Sequence, residues 1–513
     1  MHSKNHPFQK SARQLEFVQT DAIHRDQKRR ILLLLGLTML ISLLPLIGTS
    51  QSFVSNGQKV TAKSFDQEVE KMMTAVGVPA MSLAVMEDEK VVHYRSYGYK
   101  DVDKKRKANK RTVFEAASLT KIYLLYVAYK LVEEGRLDLE KPIHEYLPHE
   151  ELAYDKRYER ITVRQIVNHT SGMENRIWFN NPDKLELVAD PGERFTYSGA
   201  GYQYLSKVVE SITGRSYAQL VDDYVLDPLK LKRTFLQYDS NWVPFVKEKP
   251  ANHALGYSGF GDEFEKWKNE VTYPASGAHT TAKDYAEFFM SLFKEKVLTD
   301  ESMEEILHPA VVFDQDGTSS FGIGGGLFII YHPNDTIINW GGNNEGFRAQ
   351  LMYSITHKRG FVYLTNSSQG LLLSSPINQL TAGLDLGIYD KQFHFDPYPS
   401  HAVDLLVAYR EKGEAFLFEE MNRLKPTDRS LNDLGFVFLE KDLELTKRIA
   451  QETIERYPGS AMAYCVLGLT YFLQEDFGQA YQYLTKAKSK GYDYWMLDIE
   501  EYINASADML AKK

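Results

Sequence analysis

The pattern of the chain changes at residues 396–399, which read Asp-Pro-Tyr-Pro. Before this point short apolar runs alternate with turn residues and helical patterns, whereas residues 401–513 carry almost only helical periodicity. The chain has 513 residues, more than the ~250–300 at which a single hydrophobic core stops growing. We therefore predict a mixed α/β domain over residues 61–390 and an all-α domain over residues 400–513.

Composition and charge exclude several classes of protein. Hydrophobic residues make up 43% and charged residues 25% of the chain, which are ordinary values for a globular protein. The net charge is −9 and no basic stripe is present, so we expect no nucleic-acid partner. The single cysteine, Cys465, excludes an intrachain disulfide. Since no histidine pair or glycine-rich phosphate loop is present either, we expect neither a metal nor a cofactor.

Residues 1–50 are predicted to contain a signal peptide or a membrane anchor. Three basic residues, Lys28 to Arg30, precede an uncharged apolar run from Ile31 to Gly48. This pattern is typical of a secretory signal peptide, and its length of roughly 17–18 residues is also near the lower limit for a membrane anchor. Both interpretations place the rest of the chain outside the cytoplasm. We predict an exported protein, periplasmic, extracellular or membrane-anchored, with membrane contact if the segment is uncleaved.

The mixed domain reads as an antiparallel sheet with helices. Two short strands are joined by a turn at Asp88 and Glu89, and four more apolar runs lie within residues 324–367. A succession of short strands separated by turn residues favours antiparallel pairing over βαβ winding. A long helical pattern runs from Ser118 to Gly135.

The C-terminal domain contains a repeat. Leu434 and Leu467, each followed by glycine, are 33 residues apart in two similar segments. This resembles tetratricopeptide repeats, whose period is ~34 residues. Lys447 and Ile454 depart from the small residues expected in the first unit, so an unrelated pair of helical hairpins is the alternative. Such a module would bind a protein partner rather than catalyse, and Cys465 would be a packing residue.

The residues with the clearest chemistry are Ser118 and Lys121. In a helix positions i and i+3 share a face, so the lysine amine can reach the serine hydroxyl. A serine needs an adjacent base to become nucleophilic, and a desolvated lysine can supply one. Ser118 at a helix start would also direct backbone N–H groups at a substrate. The Ser-x-x-Lys pattern is common in proteins, however, so a catalytic role for Ser118 and Lys121 needs further support.

Two later motifs could complete such a site. Tyr197 lies on a turn before a helical pattern, and a tyrosine near a lysine can act as a general base or acid. Trp340, Gly341 and Gly342 end a predicted strand, where a glycine pair lets a substrate lie against backbone N–H groups. Taken alone, Tyr197 is also compatible with a packed tyrosine, and the glycine pair is also compatible with an ordinary turn.

In this order the three motifs resemble the penicillin-recognising serine hydrolases: class C β-lactamases, DD-peptidases and family VIII carboxylesterases. The resemblance extends to His-Thr-Ser-Gly at 169–172, Pro-Gly-Glu at 191–193 and the strand at 362–367, and it covers residues 64–387. It implies a β-lactamase-like antiparallel sheet flanked by helices, plus a helical subdomain, with the site between them.

The resemblance also implies roles for individual residues. Ser118 would be the acylated nucleophile and Lys121 its base partner. Tyr197 would carry the proton to the leaving group and later activate the hydrolytic water. The backbone N–H groups of Ser118 and Asn343 would form the oxyanion hole.

Two positions depart from the family pattern. Gly199 stands where an asparagine usually contacts the substrate amide, and Trp340 stands where a cation usually grips a carboxylate. Losing a charge-assisted contact of about 1.5–3 kcal/mol would weaken carboxylate-bearing substrates by ~10–100-fold. A tryptophan-glycine motif at this place resembles the family VIII esterases. We therefore predict hydrolysis of a small-molecule ester or amide. The alternatives are a D-amino-acid peptide or β-lactam substrate, and an inactive envelope protein that only binds ligands.

Overall fold

A computed structural model describes residues 52–175, 185–237, 252–265, 271–294, 297–387, 389, 401–439, 441–492, 497 and 499–511. The apolar run at residues 31–48 and the change of pattern at residues 396–399 lie outside these ranges. Within them, no helix combines the length and the apolar character that crossing a membrane requires.

The first domain is built on a nine-stranded antiparallel sheet, as the sequence predicts. Its strands lie in the order β5-β4-β3-β13-β12-β11-β10-β9-β8, while β1 pairs with β2 and β6 pairs with β7. β3, β12 and β13 are buried almost throughout because helices cover both faces of the sheet centre. The strands are β1 Ser52–Ser55, β2 Gln58–Thr61, β3 Ala80–Glu87, β4 Lys90–Asp101, β5 Arg106–Lys107, β6 Phe114–Glu115, β7 His279–Thr280, β8 Val311–Gln315, β9 Ser320–Gly324, β10 Leu327–His332, β11 Asp335–Asn344, β12 Phe347–Ser354 and β13 Arg359–Thr365.

Helices of this domain pack on the sheet and on one another. The longest begin at side-chain caps, Thr61 before α1 and Ser198 before α4, because these side chains accept hydrogen bonds from free N–H groups of the first turn. The helices are α1 Ala62–Val76, α2 Lys121–Glu133, α3 Val163–Val167, α4 Gly199–Thr213, α5 Tyr217–Val221, α6 Asp227–Leu229, α7 Ala282–Ser291, α8 Asp300–Leu307 and α9 Ser374–Thr381. A π-helical turn, Asp222–Leu226, joins α5 to α6, and short 3-10 turns lie at Ala117–Thr120, Ile143–Glu145, Glu150–Leu152, Lys156–Arg160 and Gly370–Leu373.

Two local predictions differ in detail from the structure. The predicted helix from Ser118 to Gly135 begins as the 3-10 turn, and regular α-helix starts only at Lys121. The apolar run from residue 324 is divided, since Gly325 and Gly326 adopt positive φ and form the turn between β9 and β10.

The C-terminal region is entirely helical in its described residues. Its helices are α10 His401–Lys412, α11 Glu414–Leu424, α12 Asp428–Leu439, α13 Leu443–Arg456, α14 Ala461–Leu473, α15 Phe477–Ser489 and α16 Ile499–Ala511. A Cβ atom on Gly468 would lie 2.7 Å from Leu484 Cγ, so α14 and α15 approach closely through this glycine. Cys465 is fully buried, and burial raises the pKa of its thiol to about 12. The predicted helices are therefore present, whereas their separation as a domain and their assignment to tetratricopeptide repeats stay predictions.

The helical region contacts the first domain through a buried arginine and an aromatic side chain. Arg410 on α10 donates hydrogen bonds to Ala75 O (3.1 Å), Gly259 O (2.8 Å) and Gln369 Oε1 (2.7 Å). The ring of Phe260 packs among the C-terminal helices, with its centroid 5.2 Å from that of Phe438.

Candidate active site

Ser118 lies on a strained turn that leads directly into α2. Ala117, just before it, has a φ of 47°, a left-handed conformation that is uncommon for a residue with a side chain. Two hydrogen bonds anchor the turn to the segment before β7, from Ala116 N to Ala278 O (2.8 Å) and from Ala278 N to Thr120 Oγ1 (3.0 Å). The turn therefore holds the serine at a defined place above the helix.

The Ser118 hydroxyl lies between the two other predicted catalytic side chains. Tyr197 OH is 3.0 Å and Lys121 Nζ is 3.4 Å from Ser118 Oγ. Lys121 is 2% exposed. Its nitrogen also donates to Ala275 O at 2.8 Å and lies 4.8 Å from the centroid of the Tyr197 ring. The structure thus brings Tyr197 to a serine that lies 79 residues away in the sequence, beside the lysine of the same turn.

Tyr197 is held in position by a buried histidine. The His169 ring stacks on the Tyr197 ring, with centroids 4.4 Å apart, and His169 Nδ1 accepts a hydrogen bond from Ser198 N at 3.0 Å. Burial, and then the charge of Lys121, lower the pKa of His169 well below its ordinary value, so the imidazole stays neutral. An accepting Nδ1 places the ring proton on Nε2. His169 thus packs against Tyr197 as a buried, neutral ring.

Strand β11 forms the opposite side of the site. Trp340 is fully buried, its Nε1 donates to Ser118 O at 2.9 Å, and its ring lies 4.7 Å from that of Phe328. A Cβ atom on Gly342 would lie 2.8 Å from Ala116 O, so only glycine lets the strand pass this close to the nucleophile turn. The tryptophan therefore fills the position with an apolar ring whose one donor is already used.

Gly341 and Asn343 are the exposed positions of this strand end. β10 pairs with β11 only through Asp335–Ile338, so β10 leaves the later part of β11 uncovered on that edge. The Asn344 side chain donates to Glu115 Oε2 at 2.9 Å and fixes the strand end to β6. An open, anchored strand edge beside Ser118 suits the role that the sequence analysis predicts for the Asn343 N–H group.

Two contributors to the site were missed by the sequence analysis. Ala275 acts through its backbone carbonyl, which accepts from Lys121. Asn175 acts through its side chain, whose Oδ1 accepts a hydrogen bond from Gly199 N at 3.0 Å. A backbone carbonyl has no sequence signature, and the nearness of Asn175 to Gly199 depends on the tertiary fold.

An antiparallel sheet with a Ser-x-x-Lys turn facing a tyrosine and a glycine-rich strand defines the serine hydrolase fold of β-lactamases and penicillin-binding proteins. The family model described as Beta-lactamase matches residues 65–382, and the chain belongs to this family.

Similar proteins agree with this assignment. Protein flp of Staphylococcus aureus (strain MW2) is 31% identical over 233 residues, which cover 41% of this chain and 45% of that protein. The match thus spans less than half the length of that relative. The structure of an octameric penicillin-binding protein homologue from Pyrococcus abyssi has a TM-score of 0.52 and 20% identity, covering 75% of this chain and 82% of that one. A class C beta-lactamase has a TM-score of 0.51 and 19% identity, covering 63% and 97%. Both structures share the fold.

Proposed function

We propose that the protein is an exported serine hydrolase that cleaves a small, neutral ester, or an amide, through an acyl-enzyme on Ser118. The observation that carries the proposal is the position of Ser118 Oγ, 3.0 Å from Tyr197 OH and 3.4 Å from Lys121 Nζ. This arrangement supplies a nucleophile, a proton carrier and a cation within contact distance. Membership of the Beta-lactamase family supports the same reaction class.

In the acylation step Tyr197 reacts as its phenolate: the phenolate oxygen accepts the Ser118 proton while Oγ attacks the carbonyl carbon, which leaves Tyr197 neutral. Lys121 Nζ, 3.4 Å from Ser118 Oγ, donates to the serine oxygen and holds it between the two side chains. The N–H groups of Ser118 and Asn343 stabilise the oxyanion. When the bond to the leaving group breaks, the leaving group takes the proton from Tyr197.

Deacylation repeats these steps with water as the nucleophile. The water gives one proton to Tyr197 and adds its oxygen to the acyl carbon. The bond to Ser118 Oγ then breaks, the proton returns from Tyr197 to the serine, and the acid leaves. No metal or cofactor takes part in this scheme.

Trp340 supports a substrate without a free carboxylate. Its indole nitrogen is occupied by Ser118 O at 2.9 Å, so this position offers a carboxylate neither charge nor a donor. We therefore expect p-nitrophenyl hemiglutarate, which carries a carboxylate, to have no advantage in kcat/KM over p-nitrophenyl butyrate, whereas a cation at this position would favour it by ~10–100-fold.

The protein is also proposed to be exported and to dock a protein partner. The basic flank and apolar run at residues 28–48 support export, by cleavage or as a membrane anchor. The C-terminal helices support docking of a protein partner, as helical repeat modules do.

The test compares hydrolysis of p-nitrophenyl butyrate by the parent, by Ser118→Ala and by Ser489→Ala, which changes an exposed serine of the C-terminal helices. We expect Ser118→Ala to lose at least ~10³-fold in kcat/KM and Ser489→Ala to match the parent. A fluorophosphonate should modify the peptide that contains Ser118, as detected by mass spectrometry. Equal background rates for parent and Ser118→Ala, with no adduct, would refute the esterase proposal and favour a cleft that only binds.

A further inference from the structure

We infer that Asn175 is a further substrate-binding residue, whose side-chain N–H groups bind a neutral hydrogen-bond acceptor in the acyl part of the substrate. The acceptor class is an uncharged carbonyl such as that of an amide. The inference rests on the proposed function, because it assigns a specificity-determining residue to the same site.

The orientation of the Asn175 carboxamide follows from its one hydrogen-bond partner. Gly199 N lies 3.0 Å from the side chain, and a backbone N–H group requires an acceptor, so the oxygen faces the start of α4. The nitrogen therefore points away from that helix. In the part of the chain that the structure describes, this nitrogen donates no hydrogen bond, and the residue is only half-buried. Two donor hydrogens are thus available to a ligand.

The carboxamide also lies beside the catalytic groups. Gly199 has no side chain to cover it, and a Cβ atom there would lie 3.3 Å from Asn175 Oδ1 and 3.4 Å from Ala275 Cβ. The carbonyl of Ala275 holds Lys121 Nζ at 2.8 Å. Gly199 is two residues beyond Tyr197, so the Asn175 carboxamide lies beside Gly199, close to Tyr197 in the chain and to the residue whose carbonyl accepts from Lys121.

The segment that carries Asn175 is fixed from two sides. Ser198 Oγ donates to Glu174 O at 2.9 Å, and Glu174 N donates to Glu186 O at 3.1 Å. Met173 forms an isolated antiparallel bridge with Leu187. A donor held in place before the substrate arrives loses little freedom on binding.

A neutral donor at this place predicts a particular selectivity. An acyl chain with an amide carbonyl would accept a hydrogen bond from Asn175, whereas an alkyl chain of the same shape would leave the N–H groups without a partner. One neutral hydrogen bond corresponds to about a 3- to 10-fold preference in kcat/KM.

The experiment measures kcat/KM for p-nitrophenyl N-acetylglycinate and for p-nitrophenyl 4-methylpentanoate, two esters of similar shape of which only the first has an amide. The readout is the ratio of the two values, corrected for the rates with Ser118→Ala. We expect the parent to favour the amide ester and both Asn175→Ala and Asn175→Asp to lose this preference by about 3- to 10-fold. Aspartate keeps the acceptor for Gly199 N–H and lacks the donor. Asn422→Ala, in the C-terminal helices, should keep the parent ratio.

The double variant Asn175→Ala/Gly199→Asn places a carboxamide on the other side of the same space and should restore much of the preference. If Asn175→Asp kept the parent's ratio of kcat/KM for the two esters, Asn175 would have a structural role only and the inference would be overturned. The inference would also be overturned if both single variants kept that ratio while turnover still depended on Ser118. If the parent hydrolysed neither ester faster than Ser118→Ala, the proposed esterase function would fail, and this inference would fall with it.

Discussion

Replacing Arg410 by methionine tests how the C-terminal helices are joined to the hydrolase domain. The Arg410 guanidinium donates to three neutral acceptors, at 3.1 Å to Ala75 O, 2.8 Å to Gly259 O and 2.7 Å to Gln369 Oε1. Ala75 lies in the last turn of α1, where carbonyl groups are free and a cation is favoured. Methionine keeps the aliphatic stem but donates to none of these acceptors.

The expected loss follows from two opposing effects. An acceptor left without a donor costs ~1–3 kcal/mol, and three acceptors are affected. Against this, burial lowers the pKa of Arg410 to about 10, so removing the partly desolvated cation recovers some free energy, on the order of 3 kcal/mol. The two effects leave a net cost of roughly 0–6 kcal/mol, so we expect Arg410→Met to lower the free energy of opening at this interface by about 3 kcal/mol, the middle of that range.

Hydrogen exchange measured by mass spectrometry reports the loss in the free energy of opening peptide by peptide. Peptides from α10 and from residues 256–265 should exchange on the order of 100-fold faster in Arg410→Met than in the parent. Arg423→Met is the control, because Arg423 pairs with Glu420 on the exposed surface of α11 and such pairs contribute little. If Arg410→Met exchanged no faster than Arg423→Met, the reasoning that these three hydrogen bonds join the domains would be refuted.

Two further predictions concern residues around the nucleophile. Tyr197→Phe keeps the ring that stacks on His169 but removes the proton carrier, so kcat for p-nitrophenyl butyrate should fall by ~10²–10⁴-fold with an unchanged circular dichroism spectrum; a loss below tenfold would contradict its role. His169 has a lowered pKa when folded, so below about pH 6.5 the unfolded chain binds a proton that the folded chain does not, and stability falls as the pH falls. His169→Gln should flatten the slope of unfolding free energy between pH 6.5 and 5 by up to ~1.4 kcal/mol per pH unit in urea titrations; equal slopes would show that His169 is not the group concerned.

Local patterns were enough to predict much of the architecture. The antiparallel sheet followed from short apolar strands separated by turn residues, and the helical region followed from periodicity after residue 400. Lys121 could be placed near Ser118 because both lie within one helical turn. Positions 325 and 326 were misjudged as strand, since an apolar run alone does not reveal where glycine φ angles turn the chain.

The remaining features depend on contacts between distant parts of the chain. Tyr197 meets a serine 79 residues away, and the Trp340 indole binds a carbonyl 222 residues away. The motif order and the resemblance singled out these residues, but distances and hydrogen bonds came only with the fold. The carbonyl of Ala275 and the carboxamide of Asn175 had no signal at all, because neither belongs to a local pattern.

The sequence by itself thus determined the elements, their antiparallel arrangement and the residue types of the candidate site, since these depend on periodicity and short spacing. Only the tertiary structure decided that the Trp340 donor is already used by Ser118 O, that Asn175 accepts a hydrogen bond from Gly199 N, and that Arg410 joins the C-terminal helices to Gly259. The physical reason is that hydrogen bonds between remote segments are formed by packing, which brings together groups that no local pattern connects.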